Sequence, residues 1–275
     1  YLAQCMTQLY SPDTIKLIVS RLLGAIEAAT FGYAHAISYV LQRYLPANLL
    51  LGLIRPMLVA RQQGAGSLAQ LNAVGNLVLK INMLLLLPLS AWFGVAGQEF
   101  AVWLSGGRYP AAGLALFLLT LVLILSGTHL VLSMLATAVE NARAILWGTV
   151  VSVPGVLLGI ALASRLGSTA MVLGLAASEI LWCGFALWLL GRGGFGFRID
   201  GRAWLKLLGV ALLAALCAAL AAALAGLTGS GRLAVTGAMV LLVYAAGVLL
   251  VRPFSTEEQR QMQRMLPARL RGRNA

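Results

Sequence analysis

The chain has 275 residues, 60% of them hydrophobic and 10% charged, with a net charge of +12 and a mean hydropathy of +0.90. A soluble globular domain carries about 25% charged residues, so that class is excluded and a polytopic membrane protein remains. The positive charge does not point to nucleic acid, because the basic residues fall in gaps between apolar runs and form no single face.

A helix needs about 20 mostly apolar residues to cross the hydrocarbon core. Eight segments qualify: about 3–23, 29–56, 71–96, 111–138, 144–164, 169–190, 204–227 and 232–251. The first carries Asp13 and Lys16, three apart after Pro12, a spacing suited to a local ion pair. The second presents His35, Tyr39, Gln42 and Arg43 on one broad face, followed by Pro46. In the third, Asn72, Asn76 and Lys80 recur every four residues and form one stripe. The fourth holds Ser126, His129, Ser133, Thr137 and Glu140 at spacings of three and four. The fifth contains Pro154 and the pair Gly155 and Gly159, whose GxxxG spacing permits close helix approach. The sixth contributes one carboxylate, Glu179, beside Ser178. After the last span, Ser255 and Glu258 have capping-box spacing, and a short basic amphipathic helix is expected to follow. Its arginines favour an anionic inner leaflet.

Orientation follows from the Lys and Arg bias of the connections. With the C-terminus in the cytoplasm, the inner side receives Arg55, Arg61, Arg143, Arg192, Arg198, Arg202, Lys206, Arg252, Arg260, Arg264, Arg269, Arg271 and Arg273. The outer side receives only Arg21, Arg108, Arg165 and Arg232. The first residue is Tyr and no signal peptide is recognisable, so the chain is expected to lack its true N-terminus.

Short polar residues inside spans commonly serve as glue between helices. Arg43 and Lys80 need more, since a charge in hydrocarbon is costly and usually faces a wet cavity or a partner. Arg43 lies about 18 Å along the helix from Arg55, too deep to reach the inner surface easily. The expectation is a cation-lined cavity that attracts an anion, built from Arg43, Lys80, His129, Asn76, His35 and Gln42. Pairing of the two cations with Glu179 or Glu140 is the competing arrangement. Glu179 and Asp13 are the candidate coupling carboxylates.

Other chemistry is poorly supported. Cys5, Cys183 and Cys217 are dispersed in apolar runs and form neither a disulfide framework nor a zinc site. The segment GRGGFG places Gly191, Gly193 and Gly196 in GxGxxG spacing, but it joins two spans where a dinucleotide fingerprint needs a βαβ unit. A flexible inner loop is expected there. No nucleophile elbow, phosphate loop or metalloprotease motif occurs, and no cofactor, metal or enzymatic activity is expected. The longest outer connection, GQEFAVWLSGGRYP, spans about fourteen residues and is too short for a glycan-polymerising site.

The run SPDTIKLIVSRLLGAIEAATFGYAHAISYVLQRYLPANLLLGLIRPMLVAR supplies an Asp leading a span, LLG at its end, GYA opening the next, and a P…AR exit. With WLSGGRYPAAG and the tail STEEQRQMQRMLPARL, it resembles the C-terminal half of polysaccharide and O-antigen flippases. These belong to the multidrug/oligosaccharidyl-lipid/polysaccharide exporter superfamily. The resemblance implies an all-α, MATE-like two-lobed transporter. Residues 1–193 would be the second six-helix lobe, the first being missing, and 194–275 two additional helices with a basic tail. It further implies translocation of an undecaprenyl-diphosphate-linked oligosaccharide across the bacterial inner membrane for surface polysaccharide. A lipid II flippase or a cation-coupled multidrug antiporter is the alternative. Expected partners are the lipid-linked glycan, membrane lipids and polysaccharide polymerase or ligase machinery, with no nucleic acid.

Overall fold

The computed structural model describes residues 12–45, 68–226, 228–254 and 258, leaving aside the side chains of residues 12, 13, 68–70 and 142. Among the described residues the protein is all-α, with eight helices and no strand. They are α1 (Pro12–Leu23), α2 (Ala25–Arg43), α3 (Leu68–Ser105), α4 (Ala112–Ala138), α5 (Ala142–Leu166), α6 (Ser168–Arg192), α7 (Gly201–Leu224) and α8 (Gly229–Val251). The last six are long and apolar enough to cross a membrane, and the chain is a multi-pass membrane protein. The spans expected at 3–23 and 29–56 run into residues outside the description, which begins at residue 12 and omits 46–67. Gly24, at φ 85, separates α1 from α2 in a backbone conformation that glycine tolerates best.

Helix α4 is the hub, packing against α2, α3, α5 and α6. One apolar cluster joins α3, α4 and α6 around Val78, Leu132 and Trp182. A second joins α1 and α2 to α3–α6 around Val19, Phe31, Leu116 and Met171. A third seats α7 and α8 on α3 and α4 through Leu86, Leu123, Ala214 and Val240.

Helices α5 and α6 meet more closely than large side chains would allow. A Cβ on Gly174 would lie 2.7 Å from Gly159 Cα and 2.9 Å from the Gly155 carbonyl oxygen. Small residues let the backbones approach, and dispersion between them stabilises the pair where lipid offers no hydrophobic gradient. The GxxxG pair seen in the sequence is therefore one half of a three-glycine contact.

Helix α3 is 38 residues long, about 57 Å at 1.5 Å per residue, well beyond the hydrocarbon thickness. It holds Pro88 and breaks at Ala96, whose φ of −131° and ψ of 21° are not helical. The expected fourteen-residue outer connection is thus mostly helix: Gly97–Ser105 continues α3, leaving residues 106–111 as the turn. Aromatic contact explains why. Phe100 returns across the break to lie 5.1 Å from Phe93 and 5.4 Å from Trp92, so folding the segment covers these rings. Gly97 and Gly113 allow the returning α4 to pack against it, since a Cβ on Gly97 would come within 2.9 Å of the Gly113 carbonyl oxygen.

The expected flexible loop after α6 is instead packed. Phe195 and Phe197 are buried in the first cluster, and Phe197 rests on Gly75, where a Cβ would sit 2.9 Å from the ring. Two phenylalanines two apart thus anchor what the glycines alone would leave loose.

Replacing Gly174 with valine should force α5 and α6 apart. Overpacking of this kind costs about 1–3 kcal/mol, so the variant is expected to melt several degrees below the parent in detergent. The same change at exposed Gly184, where a Cβ meets open space, should melt close to the parent.

Candidate functional site

Two polar assemblies lie within the helices. The first is a cavity of about 270 Å³ among α2, α4 and α6, lined by Gln42, Leu45, Leu123, Ser126, Gly127, His129, Leu130, Ser133 and Glu179. Helix α4 contributes Ser126, His129 and Ser133 because their spacing of three and four places them on one face. Glu179 stands 11 residues from the start of α6 and 13 from its end, hence about 17 and 20 Å from the two ends of that helix. It is therefore near mid-span.

The carboxylate of Glu179 accepts from Ser126 Oγ at 3.0 Å through Oε1, and its Oε2 lies 2.8 Å from His129 Nδ1. With Glu179 ionised, Nδ1 carries a proton and donates to it. The imidazole lies flat on the Trp182 indole, ring centres 3.6 Å apart and planes at 11°. Trp182 is buried, one turn on from Glu179, and Gly148 of α5 makes room for it: a Cβ there would be 2.9 Å from Trp182 Nε1. Pairing and stacking hold the histidine in one orientation, while its side chain keeps 33% of its exposure to the cavity and that of Glu179 keeps 21%.

The second assembly uses the stripe of Asn72, Asn76 and Lys80. Asn76 donates to the Asn72 carbonyl at 3.0 Å and to the Arg198 carbonyl at 2.8 Å, and accepts from the Asp200 backbone N–H at 3.0 Å. Asp200 caps α7 by accepting from Ala203 N–H at 3.2 Å, and its other carboxylate oxygen lies 2.7 Å from Lys80 Nζ. Glu258 brings both its oxygens to the same ammonium, at 2.8 and 3.0 Å. Lys80 is 2% exposed. Its partners are thus Asp200 and Glu258, where the sequence reading weighed Glu179 and Glu140. Glu140 is exposed at the end of α4, at φ 55. The capping partner expected for Glu258, Ser255, lies outside the described residues.

The lysine beside Asp200 holds that carboxyl below its ordinary range, against a smaller opposing effect of burial. A counterpart fastens the other end of α3, where Arg232 of α8 donates to Glu99 Oε1 at 2.6 Å and to the Val95 carbonyl at 3.4 Å.

The structure therefore divides the residues singled out in the sequence. Gln42, His129 and Glu179 come together at the cavity. Lys80 and Asn76 sit apart from it in the clamp. His35 packs on Phe31 within α2, ring centres 5.9 Å apart. Arg43 is exposed in the last turn of α2, next to Gln42 in the chain but outside the cavity lining. The Asp13 side chain lies outside the described residues. Sequence reasoning missed Trp182, although its place one helical turn from Glu179 was a usable signal. It also missed Asp200, an Asp immediately before an apolar run, which is itself a cap signature. Among the described residues no group of three or more His, Cys, Asp or Glu side chains could hold a metal ion.

The sequence matches no family model and no curated protein. In fold, the chain is similar to the solved structure of the lipid II flippase MurJ in its inward closed conformation. The TM-score is 0.64 at 15% identity, over 89% of this chain and 54% of that one. At that identity the likeness is one of fold, and the chain spans about half the length of the flippase it matches.

Replacing Lys80 with methionine should leave two carboxylates without their shared cation. Breaking a buried pair costs about 3–5 kcal/mol, and partial exposure of Asp200, 42% for its side chain, places the expected loss near the lower end. Asp200 has a lowered pKa in the folded state, so its share of the stability is present above the unfolded value and is lost as pH falls through the folded one. Thermal melts at pH 7 should separate parent and variant clearly, and the gap should narrow as the pH is lowered below the ordinary carboxylate range.

Proposed function

We propose that the chain is part of a flippase translocating undecaprenyl-diphosphate-linked oligosaccharide across the bacterial inner membrane for surface polysaccharide biosynthesis. The observation that carries this reading is a polar cavity at mid-span, on a fold similar to that of a lipid II flippase. A polar cavity inside hydrocarbon is unfavourable unless something polar uses it. The side chains of Gln42, Ser126 and Ser133 offer donors and acceptors suited to phosphate or sugar hydroxyls.

In this reading residues 1–193 form one six-helix lobe and 194–275 an added helix pair, with the C-terminus in the cytoplasm. The complete two-lobed transporter supplies the facing wall of the cavity. Lys80 is committed to its carboxylates, so in this reading the cationic contact with the headgroup falls to Arg43, exposed at the end of α2 and outside the cavity lining. His35 and Asn76 then act from outside the cavity, His35 through the packing of α2 and Asn76 through the inner clamp. The lipid tail stays in the bilayer while the headgroup crosses, and polymerase or ligase machinery receives the product. No catalytic residue is required for such a movement.

The similarity in fold favours one second reading, in which the cargo is lipid II for peptidoglycan. Depleting the gene in its host separates the two. Under the first reading, undecaprenyl-linked repeat units accumulate, surface polysaccharide is lost and cells keep dividing. Lysis with accumulation of lipid II instead would transfer the protein to the second reading. Normal levels of both intermediates would refute flippase activity.

A further inference from the structure

The charge of the cavity carries a consequence for what enters it. Among the described residues lining it, the titratable side chains are Glu179 and His129, and the other polar ones, Gln42, Ser126 and Ser133, are neutral. Among the described residues of the elements packed around it, no Lys or Arg is in the lining, and Lys80 of α3 is held by Asp200 and Glu258. On α6 the next titratable group is Cys183, buried, with its thiol donating to the Leu125 carbonyl at 3.8 Å. On α2 Arg43 is exposed and outside the lining. From α3, Asn82 packs against Gly127, and from α5, Gly148 backs Trp182; both are uncharged.

With Glu179 ionised and His129 neutral the described lining holds a net charge of −1, and one further proton brings it to zero. The structure suits an imidazolium there. Nδ1 already donates to the carboxylate at 2.8 Å, so the further proton goes to Nε2, and an indole face 3.6 Å from the ring attracts the resulting cation. Ser126 on Oε1 holds the carboxylate in place.

We propose that Glu179 and His129 form a proton-binding site whose loading is linked positively to that of an anionic headgroup. A proton from solvent and the diphosphate of the lipid-linked cargo are then taken up together, where a coupling carboxylate in an exchanger would release one to bind the other. The inference rests on the reading that this cavity receives a diphosphate-bearing lipid. Linkage is reciprocal: an anion that raises proton affinity must itself bind more tightly when the proton is present. For one proton the dependence reaches about tenfold in affinity per pH unit.

The test uses the purified full-length protein in detergent, with farnesyl diphosphate as the probe. An imidazolium in contact with indole quenches its fluorescence, so Trp182 reports loading of the site without ligand. We expect a pH-dependent quench that disappears in Trp182→Phe and in His129→Gln. We also expect farnesyl diphosphate to bind more tightly at pH 6 than at pH 8, with a slope steeper in the parent than in Glu179→Gln. The comparison with that variant removes the titration of the diphosphate itself. Equal slopes in parent and variant, tighter binding at high pH, or no quench at Trp182 would overturn the linkage and leave the flippase reading standing. Absence of binding at every pH would overturn the headgroup reading, and this inference with it.

Discussion

An ionisable side chain inside a low-dielectric bundle must find a partner, and that constraint organises the interior of this protein. Lys80 meets it with two carboxylates, Asp200 and Glu258. Glu179 meets it with a histidine, a serine hydroxyl and a stacked tryptophan behind them. The two solutions differ in kind. Lys80 is sealed at 2% exposure and its partners come from distant parts of the chain, so it ties elements together. The Glu179 pair is open to a cavity and both its members can exchange a proton, so it is free to respond to what arrives there.

The sealed pair explains how α7 and α8 are fixed. Both rest on α3, and α3 is fastened to them at each end: by Lys80 with Asp200 and Glu258 on one side, and by Glu99 with Arg232 on the other. Between these lies an apolar contact of leucine, valine and alanine. In lipid such a contact has little hydrophobic driving force, so the ion pairs toward the two ends of α3 supply the registry that apolar packing alone would leave to slide. The segment between α6 and α7 adds a third fastening through Phe195, Phe197 and Asn76.

Elsewhere the bundle is held by closeness. The three glycines between α5 and α6 bring two backbones together and also fix α6, the helix that presents Glu179 and Trp182. Gly148 extends the same device one contact further by admitting the Trp182 ring. The site is thus positioned by glycines of α5 and α6 that carry none of its polar groups.

The sequence by itself determined the class, the all-helical architecture and the places where polarity interrupts the spans. Hydropathy over about 20 residues reflects the cost of exposing backbone and charge to hydrocarbon, which each segment incurs wherever it sits. It also marked His129, Gln42 and Glu179 as polar residues needing an explanation. What it could not determine was partnership. Lys80 lies 120 residues from Asp200 and 178 from Glu258 in the chain, and His129 lies 50 from Glu179. Helical periodicity says which residues share a face but carries no information about which helix that face meets. The same limit explains the two local misreadings. The stretch after Ala96 folds as helix because Phe100 finds Phe93 across the break, and the glycine-rich turn is anchored because Phe195 and Phe197 join the apolar cluster of α3, α4 and α6. Only the tertiary structure decided these, because the stabilising partner lay on another segment or across a break in the helix.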